Sequence, residues 1–186
     1  MLGAIRLARN YLVAESDLNN ILCITADRFP EDAKYEQSYN LISDGAAGVV
    51  VSRKAEGYKY LASHQITNGA MAQASDDETV GHYFSYSKQL IQKTLDKANL
   101  TIADIDHVIP QNTNKVAWQI LSSVIGISLD KVYMETISTV GHVISGDNII
   151  NLNKIEQEGI VKPKEKLLLL MAGFGLNWQC VILEKV

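Results

Sequence analysis

The feature that most constrains this chain is the alternation, beyond residue 80, of short apolar runs with stretches of helical periodicity. His107–Pro110, Val132–Met134, Leu167–Ala172 and Trp178–Leu183 read as strands. Tyr83, Ser87, Leu90, Ile91, Thr94, Leu95 and Ala98 trace one face of a helix. Val116, Ala117, Ile120, Leu121 and Val124 mark a second, ended at Gly126, and Val143–Glu158 reads as a third, with Gly159 past its end and Pro163 beyond. Strands alternating with helices predict an α/β fold whose sheet is mostly parallel, with helices on both faces. The last two strands are close enough for a hairpin, which predicts an antiparallel edge.

The first 66 residues carry fewer elements. Ile5, Ala8 and Leu12 recur at helical spacing within the first fourteen residues. Ile21–Ala26, apolar except for Thr25, has the pattern of a strand buried on both faces. Asp44-Gly45 turns into a strand at Ala47–Ser52, and Tyr58–Ile66 reads as a third. Small and polar residues from Thr67 to Asp77 connect the two halves.

Composition excludes several classes of function. A net charge of −4 leaves no basic stripe to neutralise phosphates, which argues against nucleic acid as a partner. Arg6 and Arg9 break the opening apolar stretch, unlike a signal peptide, and the longest apolar run, Leu167–Phe174, is far too short to span a bilayer. Cys23 and Cys180 lie far apart in apolar runs, suited to a reducing, cytoplasmic setting and not to a disulfide framework. Buried in strands, neither reads as a nucleophile. No motif calls for a metal or an organic cofactor.

His142 is set apart from His64 and His82, which read as surface residues, and from His107, which has no evident partner. Glycines flank it, and Asp147 follows five residues later. A histidine acting as a general base needs a second group to fix its tautomer. Residues five apart lie about 140° around an ideal helix, so the pairing requires His142 to sit in the turn before the helix. On these residues alone, a histidine of the capping region is the competing reading. Gly173-Phe174-Gly175 reads either as a hairpin connection or as a turn aiming N–H groups at an oxyanion. In Pro110-Gln111-Asn112-Thr113-Asn114, Asn112 or Thr113 caps the following helix, or the amides face a cleft at the end of the strand.

Taken in order, these segments resemble the 3-oxoacyl-[acyl-carrier-protein] synthase III family of the thiolase-like superfamily. Asp44-Gly45-Ala46-Ala47-Gly48 is similar to its D-G-A-G strand entry, and Pro110-Gln111-Asn112-Thr113-Asn114 to its P-H-Q-A-N segment. Val140-Gly141-His142 stands at its Y-G-N, and Gly173-Phe174-Gly175-Leu176-Asn177-Trp178 at its G-G-G-x-T-W. The resemblance implies a layered fold with a mixed sheet. It divides the chain into residues 1–66, a remnant of an N-terminal unit, and residues 67–186, a complete C-terminal unit whose synthase III C-terminal domain begins near residue 95.

The resemblance also locates departures. The family's nucleophilic cysteine is expected about three residues before Met1, so the chain resembles the C-terminal part of a longer protein. Gln111 stands at the family's first catalytic histidine, and His142 at its asparagine. Gly141-His142-x4-Asp147 resembles an acyltransferase subgroup in which histidine and aspartate complete a triad. The resemblance thus implies His142 and Asp147 as catalytic residues, with Gln111, Asn112, Asn114, Gly173 and Phe174 binding substrate. The cleft would join His142, the Gly173–Gly175 turn and the helix start near Met1. Gln111 donates neutral hydrogen bonds but is neither a cation nor a base. A lone His–Asp pair suits simple acyl transfer more than decarboxylative condensation. The implied substrates are thioesters of acyl carrier protein or coenzyme A, and the implied assembly is a homodimer. Lys88, Lys93, Lys97 and Lys115 are candidates for meeting an acidic carrier, or are solvated helix faces. The alternative function is a non-catalytic, synthase-like partner subunit.

Overall fold

The computed structural model describes residues 1–32, 40–54, 56–69, 73, 75–173 and 177–186. In chain order the elements are α1 (Leu2–Ala14), β1 (Asn20–Asp27), β2 (Gly45–Ser52), β3 (Tyr58–Thr67), α2 (Asp76–Ala98), β4 (His107–Ile109), α3 (Lys115–Ile125), α4 (Asp147–Gln157), β5 (Lys166–Gly173) and β6 (Asn177–Lys185).

Strands β3, β6, β5 and β4, in that order, form one four-stranded sheet, and β1 and β2 form a separate antiparallel pair. The unbroken apolar run of β5 follows from burial on both faces. Leu168 and Leu170 join Trp178, Cys180 and Ile182 of β6 in a core under α2 and α3, with Leu90, Leu95, Trp118 and Leu121. Leu167 and Leu169 turn the other way, with Val181 and Leu183, to meet Leu2 and Ile5 of α1 and Ile149, Leu152 and Ile155 of α4. Ala47, Val49 and Val51 of β2 pack on this second core from beyond the helices. The layers are therefore helices, sheet, helices and a hairpin, a mixed α/β arrangement.

Several expectations are corrected. The sheet is mixed rather than mostly parallel: β4–β5 is parallel, whereas β5–β6 and β3–β6 are antiparallel. The β5–β6 hairpin is interior, because β3 covers the far side of β6. Strand β3, grouped by sequence with the first half, thus belongs to the sheet of the second. Val132–Met134 is not a strand and makes one parallel bridge, Val132 to Val108. Strand β1 is not buried on both faces: Leu22 and Ile24 are 61% and 67% exposed, since nothing among the described residues covers that side. Helix α2 starts seven residues before Tyr83, because Ser75 and Glu78 form a reciprocal capping box. His107 does have a partner, Glu165 Oε2 at 2.8 Å. Among the described residues no helix is long and apolar enough to cross a membrane.

Helix α4 is tied to the sheet through Glu156, whose carboxylate accepts hydrogen bonds from Lys185 on β6 and the Tyr58 hydroxyl on β3. These two donors hold the Glu156 carboxyl below its ordinary value of 4.5. A lowered carboxyl pKa adds stability that is present above the ordinary value and is lost as pH falls through the lowered one. Replacing Glu156 by glutamine is therefore expected to cost about 0.5–1 kcal/mol at pH 7, because the partly exposed pair is screened. The difference should vanish in acid, as read from urea unfolding between neutral pH and about pH 3.

Candidate functional site

The segment before α4 is bent by its glycines and neighbours. Gly141 has φ +79°, and a Cβ there would lie 2.6 Å from Ser43 Oγ and 2.7 Å from the Leu41 carbonyl oxygen. Only glycine accommodates both the conformation and the approach. His142 then forms a parallel bridge with Ile42: its N–H donates to Leu41 O at 2.7 Å, and its carbonyl accepts from Ser43 N at 3.0 Å. Ile144, a β-branched residue, is held at φ +38°, a strained conformation two residues from the histidine. Gly45 of the Asp-Gly-Ala-Ala-Gly segment lies under the same turn, where a Cβ would meet Val143 Cγ1 at 2.5 Å.

The turn delays α4 until Asp147, four residues later than the apolar periodicity begins, and this delay is what lets the five-residue spacing close. His142 Nδ1 lies 2.6 Å from Asp147 Oδ2. Asp147 is fully buried, and the same oxygen accepts from Asn112 N at 2.7 Å while Oδ1 accepts from Val143 N at 2.6 Å. It opens α4, where the helix dipole favours a carboxylate. A carboxylate has only acceptors, so Nδ1 donates to Asp147, which leaves Nε2 as the ring nitrogen not engaged by it.

His142 lines a cavity of about 480 Å³, mostly apolar, with Gln111, Asn114, Gly173, Tyr83, Phe84 and Trp178 among its walls. Gln111 is held at both ends: its carbonyl accepts from Trp118 Nε1 at 2.9 Å, and its side-chain Oε1 accepts from Ala172 N at 2.8 Å. With Oε1 occupied, the amide NH2 is the end of this side chain left to donate. Burial pushes the Tyr83 hydroxyl up to about 12, so it is a hydrogen-bonding group and not an acid at neutral pH.

The structure brings together His142, Asp147, Gln111, Asn114 and Gly173. Asn114, not Asn112 or Thr113, caps α3, accepting from Ala117 N at 2.7 Å. Asn112 lies behind the cavity in a polar network. Its Nδ2 donates to Gly141 O at 2.9 Å and Thr136 Oγ1 at 3.1 Å, and its Oδ1 accepts from Asn151 Nδ2 at 2.8 Å. Phe174 lies outside the described residues. The cavity joins His142 to Gly173 but is not lined by Met1. The start of α1 lies near Asp27, which accepts from Ser145 N at 3.1 Å.

Sequence reasoning missed the aromatic wall of Tyr83, Phe84 and Trp178 and the supporting asparagines. Asn148 and Asn151 hold the carbonyls of Ile109 and Pro110 from α4. Their signal was available: three polar positions, Asp147, Asn148 and Asn151, on the buried face of a helix need buried partners. Among the described residues no cluster of histidine, cysteine and carboxylate side chains is arranged to hold a metal ion.

Comparison with known proteins places this geometry. Residues 95–185 match the family model for the C-terminal part of 3-oxoacyl-[acyl-carrier-protein] synthase III, and residues 1–69 match the companion model of the same synthase. The chain is 25% identical over 178 residues to β-ketoacyl-[acyl-carrier-protein] synthase III of Aquifex aeolicus, covering 89% of this chain and 57% of that protein. It is 26% identical over 204 residues to the enzyme of the same name from Chlamydia caviae, covering 94% and 61%. It thus spans about three fifths of the length of these curated relatives. Among solved structures, the acyltransferase ChlB3 superposes with TM-score 0.89 at 20% identity, over 100% of this chain and 65% of that one. The Aquifex aeolicus synthase III superposes with TM-score 0.86 at 22% identity, over 98% and 63%. The two family models, covering both halves of the sequence, and the shared thiolase-like architecture lead to one conclusion: the chain belongs to the 3-oxoacyl-[acyl-carrier-protein] synthase III family.

Proposed function

We propose that this chain carries the base-bearing part of an acyltransferase that moves acyl groups from acyl carrier protein or coenzyme A thioesters to a hydroxyl, amine or thiol acceptor. The observation that supports this reading is the His142–Asp147 pair at 2.6 Å, with the histidine on the wall of an apolar cavity. In the reaction, His142 Nε2 takes the proton of the acceptor as it attacks the acyl carbon. Asp147 stabilises the resulting imidazolium, and the proton passes to the departing thiolate. The Gln111 amide donates a neutral hydrogen bond to the acyl oxygen as charge develops. No cationic group at that position assists loss of carbon dioxide, which favours transfer over carbon–carbon condensation.

The acyl-carrying nucleophile in this reading lies outside residues 1–186. Cys180 is fully buried and its thiol is pushed up to about 12, and Cys23 is buried with its thiol also raised. Residues 1–186 incubated with a radiolabelled acyl thioester are expected to retain no covalent label on either cysteine, as read by mass spectrometry. Stoichiometric acylation of Cys23 or Cys180 would overturn that assignment. The reading as a whole is tested by replacing His142 with alanine in the full-length protein. Transfer to the acceptor should fall by about 10³-fold, within the range of lost general-base catalysis. Unchanged transfer would reject it.

A further inference from the structure

Asn112 lies beside Gln111 but takes no part in the cavity wall: it is 1% exposed, and the lining passes from Gln111 to Thr113. Its contacts run instead to both sides of the His142–Asp147 pair. The backbone N–H donates to Asp147 Oδ2 at 2.7 Å, the oxygen that also meets His142 Nδ1. The side-chain Nδ2 donates at 2.9 Å to the carbonyl of Gly141, the residue that delivers the chain to His142. Among the described residues no other joins the aspartate to the backbone just before the histidine.

The amide of Asn112 has two N–H bonds, and both are used. The second reaches Thr136 Oγ1 at 3.1 Å, while Oδ1 accepts from Asn151 Nδ2 at 2.8 Å. The Gly141 carbonyl only accepts, so it requires the NH2 on its side and fixes the orientation of the amide. No donor of this side chain is left for a ligand, which removes Asn112 from the substrate-binding set that the resemblance implies. Asn151 sits one turn after Asp147 on the buried face of α4, so this helix holds Asn112 at two points, by its side chain and by its N–H. A hydrogen bond weakens steeply as its angle and length depart from the optimum. Without the side-chain anchors, the connection from Pro110 to Asn114 is free to carry the N–H away from Asp147, and the Gly141 carbonyl loses its donor.

We propose that Asn112 is a positioning residue for the base. Its side chain sets the backbone before His142, and its N–H, held in place by that side chain, sets the Asp147 carboxylate. The kinetic consequence rests on the acyl-transfer reading; the geometric one does not.

The test reads the low-field resonance of the His142 Nδ1 proton, which the hydrogen bond to Asp147 holds against exchange, by NMR on residues 1–186. In Asn112→Ala this resonance should move upfield or vanish while the rest of the amide spectrum is kept. In Thr136→Val it should remain, because the hydroxyl removed there meets Asn112 and Asn151 but neither Gly141 nor Asp147. In the full-length protein Asn112→Ala should lower kcat for transfer by about 10- to 100-fold, as when a base is displaced by about 1 Å. KM for the thioester should stay within about twofold of the parent. An unmoved ring proton in folded Asn112→Ala overturns the proposal, as does an equal loss in Thr136→Val. A raised KM with unchanged kcat overturns it too, because that pattern marks a substrate contact. Should Asn112→Ala not fold, couplings across the hydrogen bonds of the unaltered protein decide. They should run from Asn112 N to the Asp147 carboxyl carbon and from Nδ2 to the Gly141 carbonyl carbon, and their absence overturns the proposal. Transfer indifferent to His142→Ala would reject the acyl-transfer reading and leave the ring-proton result standing.

Discussion

Replacing Gly141 by alanine is expected to destabilise the protein by about 3 kcal/mol and to displace the His142 ring from Asp147. Two penalties combine. A non-glycine residue at φ +79° carries the left-handed backbone cost of about 1–2 kcal/mol. The added methyl would also lie 2.7 Å from the Leu41 carbonyl oxygen, a backbone atom that cannot rotate aside. Relief requires the bridge between Ile42 and His142 to open, and with it the hydrogen bond from His142 N to Leu41 O. Urea unfolding measures the first effect, and the His142 ring resonances measure the second. A loss below about 1 kcal/mol with an unmoved ring would show that the approach at Gly141 is looser than described.

Replacing Asp147 by asparagine should produce the largest loss of activity of any isosteric change in the site. In the full-length protein, transfer of the acyl group is expected to fall by about 10³-fold, with a smaller effect on substrate KM. Asp147 Oδ2 accepts from His142 Nδ1 and Asn112 N, and Oδ1 accepts from Val143 N. Whichever way the asparagine amide is placed, its NH2 meets at least one N–H donor. If it meets the ring, Nδ1 becomes the acceptor and the proton moves to Nε2, the wrong tautomer for a base. If it meets Val143, the ring keeps its orientation but loses the charge that supports an imidazolium. The buried mismatch also costs about 2–3 kcal/mol of stability. By comparison, replacing Gln111 by alanine removes neutral hydrogen bonds and should cost about tenfold. Activity within tenfold of the parent in a correctly folded D147N protein would remove His142–Asp147 from the reaction.

Much of this site was legible because its parts are close in the chain. His142 and Asp147 are five residues apart, and the flanking glycines announced a turn. Gln111 and Asn114 lie in a single strand-to-helix connection. The aromatic wall was hidden, because Tyr83, Phe84 and Trp178 look like ordinary core residues of a helix and a strand. Trp178 does belong to the core, at 2% exposed, yet it also closes the cavity. Asn112 was misplaced for a related reason. A polar residue after a strand signals either a site or a buried network, and only its partners Thr136, Gly141 and Asn151 distinguish the two.

Most of the elements were determined by sequence, the expected strand at Val132–Met134 and the start of α4 excepted. Local periodicity and turn chemistry locate α1, α3, β5 and β6 within a few residues, since the apolar face of a helix and the apolar run of a buried strand are properties of a few turns of chain. Strand direction and neighbour were not so determined. Nothing in the residues of β3 states that it pairs antiparallel with β6 rather than with β1 or β2, because backbone hydrogen bonds carry no residue identity. That choice was made by the tertiary structure, which buries alternate residues of β5 and β6 in two opposite cores. The same packing decided the start of α4. Helical periodicity from Val143 favoured an earlier start, and the close contacts at Gly141 and Gly45, 96 residues apart, hold the chain in a turn until Asp147 reaches His142.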